Sequence, residues 1–120
     1  MRKRVLIADD NEVVRRVVKH CLEKRTGLEV CATTQNGPET VAVALALQPD
    51  IIILDVLMPG MNGIEVASVL RKRLANITII LFTMFGEYVG TKVAATSGVD
   101  IILDKPDGVS ALLQSLSSML

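Results

Sequence analysis

The chain has 120 residues, half of them apolar and only three aromatic, so its core must be built from aliphatic side chains. Thirteen basic and thirteen acidic residues cancel, and no basic stripe favours binding to nucleic acid. The apolar runs are too short to cross a bilayer or to direct export, and we expect one cytoplasmic domain over residues 1–120.

The first half of the chain alternates short apolar runs with helical patterns. Strands are predicted over about residues 4–8, 28–33 and 51–54, and the third is apolar throughout, as in a strand buried on both faces. Asp10 or Asn11 is expected to cap the first helix. That helix should bury one apolar stripe, formed by Val13, Val14, Val17, Val18, Cys21 and Leu22. Asn36-Gly37-Pro38 begins a second helix that ends before Pro49.

The second half continues the alternation. Asn62-Gly63-Ile64-Glu65 opens a third helix with a capping-box pattern. Strands are predicted over residues 77–82 and 101–103, with a weak fourth helix within residues 86–97 and a fifth helix from about Asp107. Five strand–helix units of this kind imply an α/β fold, a doubly wound parallel sheet with helices on both faces.

Polar side chains follow the carboxyl ends of four predicted strands. They are Asp9 and Asp10, Asp55, Thr83, and Lys105, after strands 1, 3, 4 and 5 respectively. Ligands of open α/β sheets bind at that edge. Two carboxylates about 6 Å apart repel by roughly 3 kcal/mol at an effective dielectric of about 20, so three of them need a cation. Oxygen ligands without histidine or thiolate favour Mg²⁺.

The same residues have the chemistry for phosphoryl transfer to a carboxylate. Bound Mg²⁺ keeps positions open for a phosphoryl oxygen. Lys105 would add a second positive charge, and the Thr83 hydroxyl could donate to another phosphoryl oxygen. The sequence therefore predicts an acidic, magnesium-dependent phosphoryl site.

Over about residues 3–119 the chain closely resembles the receiver domain of two-component response regulators. The matching elements are Asp9-Asp10, Asp55 with Pro59 and Gly63 downstream, Thr83, and Lys105-Pro106. Each element alone is a weak signal, but the set, in order and at strand ends, is highly specific. The resemblance implies a flavodoxin-like, five-stranded sheet in the order 2-1-3-4-5 with five helices.

The resemblance also implies a phosphorylation-controlled switch that is not an enzyme beyond its own phosphoryl transfer and slow dephosphorylation. Asp55 would accept the phosphoryl group from a sensor histidine kinase or phosphotransfer protein. The metal ligands would be Asp9, largely through water, with Asp10, Asp55 and the backbone carbonyl of Leu57. Lys105 would contact the phosphoryl group or, without it, Asp55, and the bond from Lys105 to Pro106 is cis in the family.

The expected partners follow from the same resemblance. An output protein or domain would read the altered surface, while this domain itself would bind neither membrane nor nucleic acid. Dimerisation of the chain stays open. A start such as Asp10-Asn11-Glu12 resembles receivers joined to helix-turn-helix output domains.

Some positions depart from the usual receiver pattern. Ile102 stands where many receivers carry an aromatic ring. In those receivers the ring moves inward together with the threonine at the position of Thr83. Phe85 or Tyr88 could substitute for the missing ring. Met84 replaces a residue that is usually small.

The loop positions beside the acceptor lead to a kinetic hypothesis. Leu57 and Phe85 are bulky and apolar where they flank the site. If they exclude water, the acyl phosphate is lost slowly.

Other functions remain open at this stage. The main alternative is a degenerate receiver that acts as a phosphorylation-independent binding or dimerisation module. A flavin-binding carrier would need a phosphate-binding loop after strand 1, where the acidic residues 9–12 would repel phosphate. A phosphatase with Asp9 as nucleophile would need an acid at position 11, which is Asn11.

Overall fold

The structure, a computed structural model, describes residues 2–84, 86–90 and 97–119, without the side chains of Glu87 and Tyr88. Five strands form one sheet in the order β2-β1-β3-β4-β5, and every neighbouring pair is parallel. The strands are β1 Lys3–Ala8, β2 Leu28–Thr34, β3 Ile51–Leu54, β4 Thr78–Thr83 and β5 Ile101–Asp104. The expected fold class and strand order are confirmed.

Helices connect the strands on both faces of the sheet. They are α1 Glu12–Glu23, α2 Gly37–Leu47, α3 Gly63–Arg73, α4 Gly86–Val89 and α5 Gly108–Ser117, with a 3-10 turn over Lys105–Asp107. In the described residues α4 is a single turn of four residues. Residues 91–96, over which the fourth helix was expected to continue, lie outside the described part. No described helix is both long enough and apolar enough to span a membrane.

Three asparagines fix the starts of α1, α2 and α3. The side chains of Asn11, Asn36 and Asn62 each accept a hydrogen bond from a backbone N–H in the first turn. At α3 the Glu65 side chain also accepts from the Asn62 N–H, which completes the predicted capping box. These local signals explain why most element boundaries agree with the prediction to within a residue or two.

Alternate strand residues build two core layers, one on each face of the sheet. One layer packs against α2 and α3 and includes Leu6, Ile52, Leu54, Ile79 and Leu81. The other packs against α1 and α5 and includes Val5, Ile7, Ile53, Ile80 and Phe82. All four residues of β3 are buried, as its apolar run predicted. The polar residues that follow the strands are not part of these two layers, and they are the candidates for a functional site.

The predicted apolar stripe of α1 is wrong at two positions. Val18 and Leu22 are buried, but Val13 is 64% and Val17 46% exposed. The predicted stripe spans about half of the helix circumference, more than the roughly 100° arc that a surface helix commonly turns to the core. Val13 and Val17 lie on the side of α1 that the sheet does not cover.

Basic side chains tie down the amino-terminal edge of the sheet. The guanidinium of Arg71 donates to the backbone carbonyls of Ala75, Ile77 and Gly98 and pairs with Asp100 at 2.7 Å. On the other side of the same edge, Nη1 of Arg4 donates to the Leu47 carbonyl at 2.5 Å, and the backbone N–H of Arg4 donates to the Asp50 carboxylate at 2.8 Å. The Arg71 contacts join the end of α3 to the approaches of β4 and β5.

Because Arg71 bonds to three carbonyls and one carboxylate, Arg71→Ala should lower the free energy of unfolding by at least about 2 kcal/mol. Urea denaturation measures the change. Lys72→Ala, an exposed neighbour on the same helix, should stay within about 0.5 kcal/mol of wild type. Equal losses of unfolding free energy in the two variants would contradict the inference that Arg71 holds this edge of the sheet together.

Candidate functional site

The register of the central strands brings Asp9 and Asp55 side by side. Ala8 of β1 pairs with Leu54 of β3, so the two aspartates leave neighbouring strands at the same level. The Asp55 N–H donates to the Ala8 carbonyl at 3.0 Å, and the Asp9 N–H donates to the Thr34 carbonyl at 3.1 Å. The ladder therefore fixes both backbones just where the side chains enter the site.

Asp9, Asp10 and Asp55 form an acidic cluster at this edge. One carboxylate oxygen of each lies within 4.8 Å of the others. Asp9 and Asp55 are buried, with 3% and 7% exposure, whereas Asp10 is exposed. Three oxygen donors with one side open to solvent suit a hard divalent cation that keeps several waters, as Mg²⁺ does. The structure thus brings together the three acids that the sequence singled out.

Lys105 supplies a positive charge to the acidic cluster. Its Nζ lies 2.6 Å from Oδ2 of Asp9 and 3.1 Å from Oδ2 of Asp55, with 14% of the lysine side chain exposed. The contact with Asp55 was expected, but the closer one with Asp9 was not. Buried charges are tolerated when they are paired, so Lys105 offsets the repulsion between the two carboxylates.

Burial and charge act on the pKa values of this pair. Burial raises the pKa of the Asp9 carboxyl above its ordinary value, more than the hydrogen bond and charge of Lys105 lower it. Burial alone would lower the pKa of Lys105, but the hydrogen bond to Asp9 and the charges of Asp55 and Asp9 reverse this and raise it. The stabilising effect of Lys105 is therefore present at neutral pH and is lost as the pH rises through its raised pKa.

The loop after β3 is shaped by a close approach of two backbones. A Cβ atom on Gly63 would lie 2.1 Å from the Asp55 carbonyl oxygen, so only glycine fits there. The Gly63 N–H donates to the Val56 carbonyl at 2.8 Å, and the Val56 N–H donates to Oδ1 of Asp55 at the same distance. The start of α3 thus holds the loop that follows Asp55 against β3.

Thr83 and Lys105 reach the same edge from β4 and β5. Thr83 is buried and pairs in the sheet with Asp104, the residue before Lys105. Leu54 pairs with Leu81, so Thr83 stands one residue further along its strand than Asp55 does along β3. All the side chains predicted for the site therefore lie at one edge of the sheet.

Two large apolar side chains follow the same strand ends. Leu57 is 54% and Met84 58% exposed, although both belong to residue types that are commonly buried. Ile102 is half-buried and packs against the α2–α3 core layer. Phe85 and the side chain of Tyr88, which could replace the missing aromatic ring, lie outside the described residues.

One expectation about the lysine loop is wrong. The described residues contain no cis peptide bond, so the bond from Lys105 to Pro106 is trans. Pro106 stands in the first turn of the 3-10 helix, where the fixed φ of proline is compatible with the helical backbone.

Comparisons with known proteins agree on one family. A family model described as the response regulator receiver domain matches residues 5–117. The chemotaxis protein CheY of Halobacterium salinarum is 31% identical over 120 residues, covering all of this chain and 98% of that protein. The response regulator protein VraR of Staphylococcus aureus is 35% identical over 97 residues, covering 81% of this chain. That match spans 46% of VraR, so this chain corresponds to about half of such a relative.

A solved structure gives the same result for the fold. The CheX-CheY-BeF3-Mg+2 complex from Borrelia burgdorferi contains a chain that superposes with a TM-score of 0.89 at 25% identity. The superposition covers 98% of this chain and 88% of that chain.

Because Lys105 pairs with two buried carboxylates, Lys105→Ala should cost the metal-free protein about 3 kcal/mol of stability. Added Mg²⁺ should then raise the melting temperature of the variant more than that of wild type, because the ion can replace the missing charge. Thermal unfolding in EDTA and in MgCl₂ measures both effects, with exposed Lys72→Ala as the matched control. An equal Mg²⁺ response in variant and wild type would argue against this role.

Proposed function

The chain belongs to the family of response regulator receiver domains, and on that premise we propose that Asp55 is its phosphoryl acceptor. Members of the family are phospho-accepting signalling switches, and this chain is one of them. The observation that carries the assignment to Asp55 is its position: a buried carboxylate at the end of the central β3, hydrogen-bonded to Lys105 and within an acidic cluster.

The proposed chemistry is nucleophilic attack by a carboxylate oxygen of Asp55 on phosphorus. A bond forms between that oxygen and phosphorus as the bond from phosphorus to a histidine nitrogen of the donor breaks, and the imidazole leaves with the electron pair. The ammonium of Lys105, 3.1 Å from Oδ2 of Asp55, would stabilise the charge on the transferred group. The Thr83 hydroxyl would donate to another phosphoryl oxygen.

A divalent metal would complete the site. Asp10, Asp55 and the backbone carbonyl of Leu57 would hold Mg²⁺ directly, and Asp9 would hold it largely through water. When bound, the ion supplies charge neutralisation for the phosphoryl oxygens. The three carboxylate oxygens within 4.8 Å of one another support this assignment, and a related CheY has been solved with BeF3 and Mg+2.

The proposed donor is a sensor histidine kinase or a phosphotransfer protein, and the proposed reader is an output protein or domain. The match to almost the whole of a CheY supports a separate output protein. The match to about half of VraR supports an output domain in the same chain. A cytoplasmic location and dimerisation both stay predictions.

The degenerate-receiver alternative has less support. It predicts that one or more of the reactive residues is missing, yet all are present: Asp9, Asp10, Asp55, Thr83 and Lys105. The Lys105 contacts with two of the acids also keep the site assembled.

Acetyl phosphate with Mg²⁺ should add one phosphoryl group to the wild-type protein, seen as a gain in intact mass. Asp55→Asn should abolish the gain because the amide is not a nucleophile of this kind. Asp50→Asn is the matched control, since Asp50 lies at the other end of β3. A gain that persists in Asp55→Asn, or no gain in wild type with Mg²⁺ bound, would count against the proposal.

Leu57 should protect the acyl phosphate from water. We expect Leu57→Asn to shorten the half-life of the phosphorylated protein by roughly threefold or more, because a polar side chain there admits the attacking water. The loss of phosphate is followed by intact mass after removal of acetyl phosphate. An unchanged half-life would refute shielding by Leu57.

A further inference from the structure

We propose that Arg15 is a positioning residue for the metal site, acting through a hydrogen bond to the backbone of Asp9. Arg15 lies on α1, and its Nη1 donates to the Asp9 carbonyl oxygen at 2.7 Å. The inference rests on the proposed Mg²⁺ site and adds a residue that, in the described part of the chain, forms no ion pair with a proposed metal-ligand carboxylate.

The charge of Arg15 is directed to a backbone carbonyl. Arg15 lines a polar groove of about 250 Å³ together with Glu39 and residues 33–35. Among the residues that the structure describes, Arg15 forms no ion pair with any carboxylate. A guanidinium bonded to a carbonyl makes a strong, charge-assisted hydrogen bond. The half-buried Arg15 is therefore committed to the backbone of Asp9.

Counting only partners among the described residues, four hydrogen bonds hold Asp9 in place. Its N–H donates to the Thr34 carbonyl, its Oδ1 accepts from the Asn11 N–H, and its Oδ2 accepts from Lys105. The bond from Arg15 reaches its carbonyl oxygen. Because the peptide unit is planar, this bond sets the orientation of the peptide that links Asp9 to Asp10.

Asp10 depends on that peptide more than the other two acids do. Its side chain is exposed and makes no hydrogen bond or ion pair within the described parts of the chain. Asp55, by comparison, accepts bonds from the Val56 N–H and from Lys105. Without Arg15, the peptide after Asp9 could rotate and carry the Asp10 carboxylate out of the acidic cluster.

A positioning role and a simple charge effect predict opposite changes in Mg²⁺ affinity when Arg15 is replaced. Removing a positive charge near a cation site should strengthen metal binding by reducing repulsion. Removing a group that orients a ligand should weaken it, in the way that outer-shell partners affect metal affinity. The sign of the change in Mg²⁺ affinity therefore separates the two roles.

The test is isothermal titration calorimetry of MgCl₂ into wild type and variants of the whole chain. Arg15→Met, which keeps the apolar stem, should weaken Mg²⁺ binding by about tenfold. Arg15→Lys retains a charged donor and should restore most of the affinity. Arg16→Met is the matched control, because Arg16 is the exposed neighbour of equal charge, and it should bind Mg²⁺ at least as tightly as wild type.

Circular dichroism verifies that each variant is folded. Arg15→Gln, whose side chain is too short to reach the Asp9 carbonyl, should show the same loss and serves if Arg15→Met does not fold. Unchanged or tighter binding in these variants would overturn the inference, as would a loss that Arg15→Lys does not reverse or that Arg16→Met shares. Failure of wild type to bind Mg²⁺ would instead reject the proposed metal site.

Discussion

Mutual repulsion between carboxylates at one edge of a parallel sheet is the constraint on which the site depends. Parallel strands deliver their carboxyl ends together, so Asp9 and Asp55 are side by side as soon as β1 and β3 are paired. Lys105 can balance part of this charge from β5. The folded chain therefore keeps an excess of negative charge in place, and that excess suits the proposed binding of a divalent cation.

The alternation of strands and helices and the polar residues at the strand ends could be predicted because both follow from local pattern, whereas the strand order came from the resemblance to receiver domains. An apolar run buried on both faces marks a parallel strand, and the residue after the run must lie at the rim. Asp9 and Asp55 could be identified in this way. Asp10 or Asn11 could be predicted as the cap of α1, and Asn62 as the start of α3, for a similar reason, since a cap acts within one turn. The observed caps are Asn11 and Asn62.

Contacts made by particular side-chain atoms were beyond this reasoning. The ion pair of Lys105 with Asp9 depends on the direction of the lysine side chain, which the spacing of residues along the sequence does not give. The bond from Arg15 to the Asp9 carbonyl involves a backbone atom, which a residue pattern does not reveal. The pattern predicted Val13 and Val17 on the buried stripe of α1, but both are exposed. Periodicity gives the direction of an apolar helix face but does not give how much of that face the neighbouring elements cover.

The hydrogen bonds of Arg4 and Arg71 make the amino-terminal edge of the sheet different from its carboxyl-terminal edge. There, Arg4 and Arg71 tie strand approaches to acids and carbonyls, whereas the carboxyl-terminal edge gathers like charges. The edge that is held by hydrogen bonds and the edge at which carboxylates repel one another thus lie at opposite ends of the strands. A change of charge at the carboxyl-terminal edge therefore acts on the end of the sheet that these hydrogen bonds do not hold.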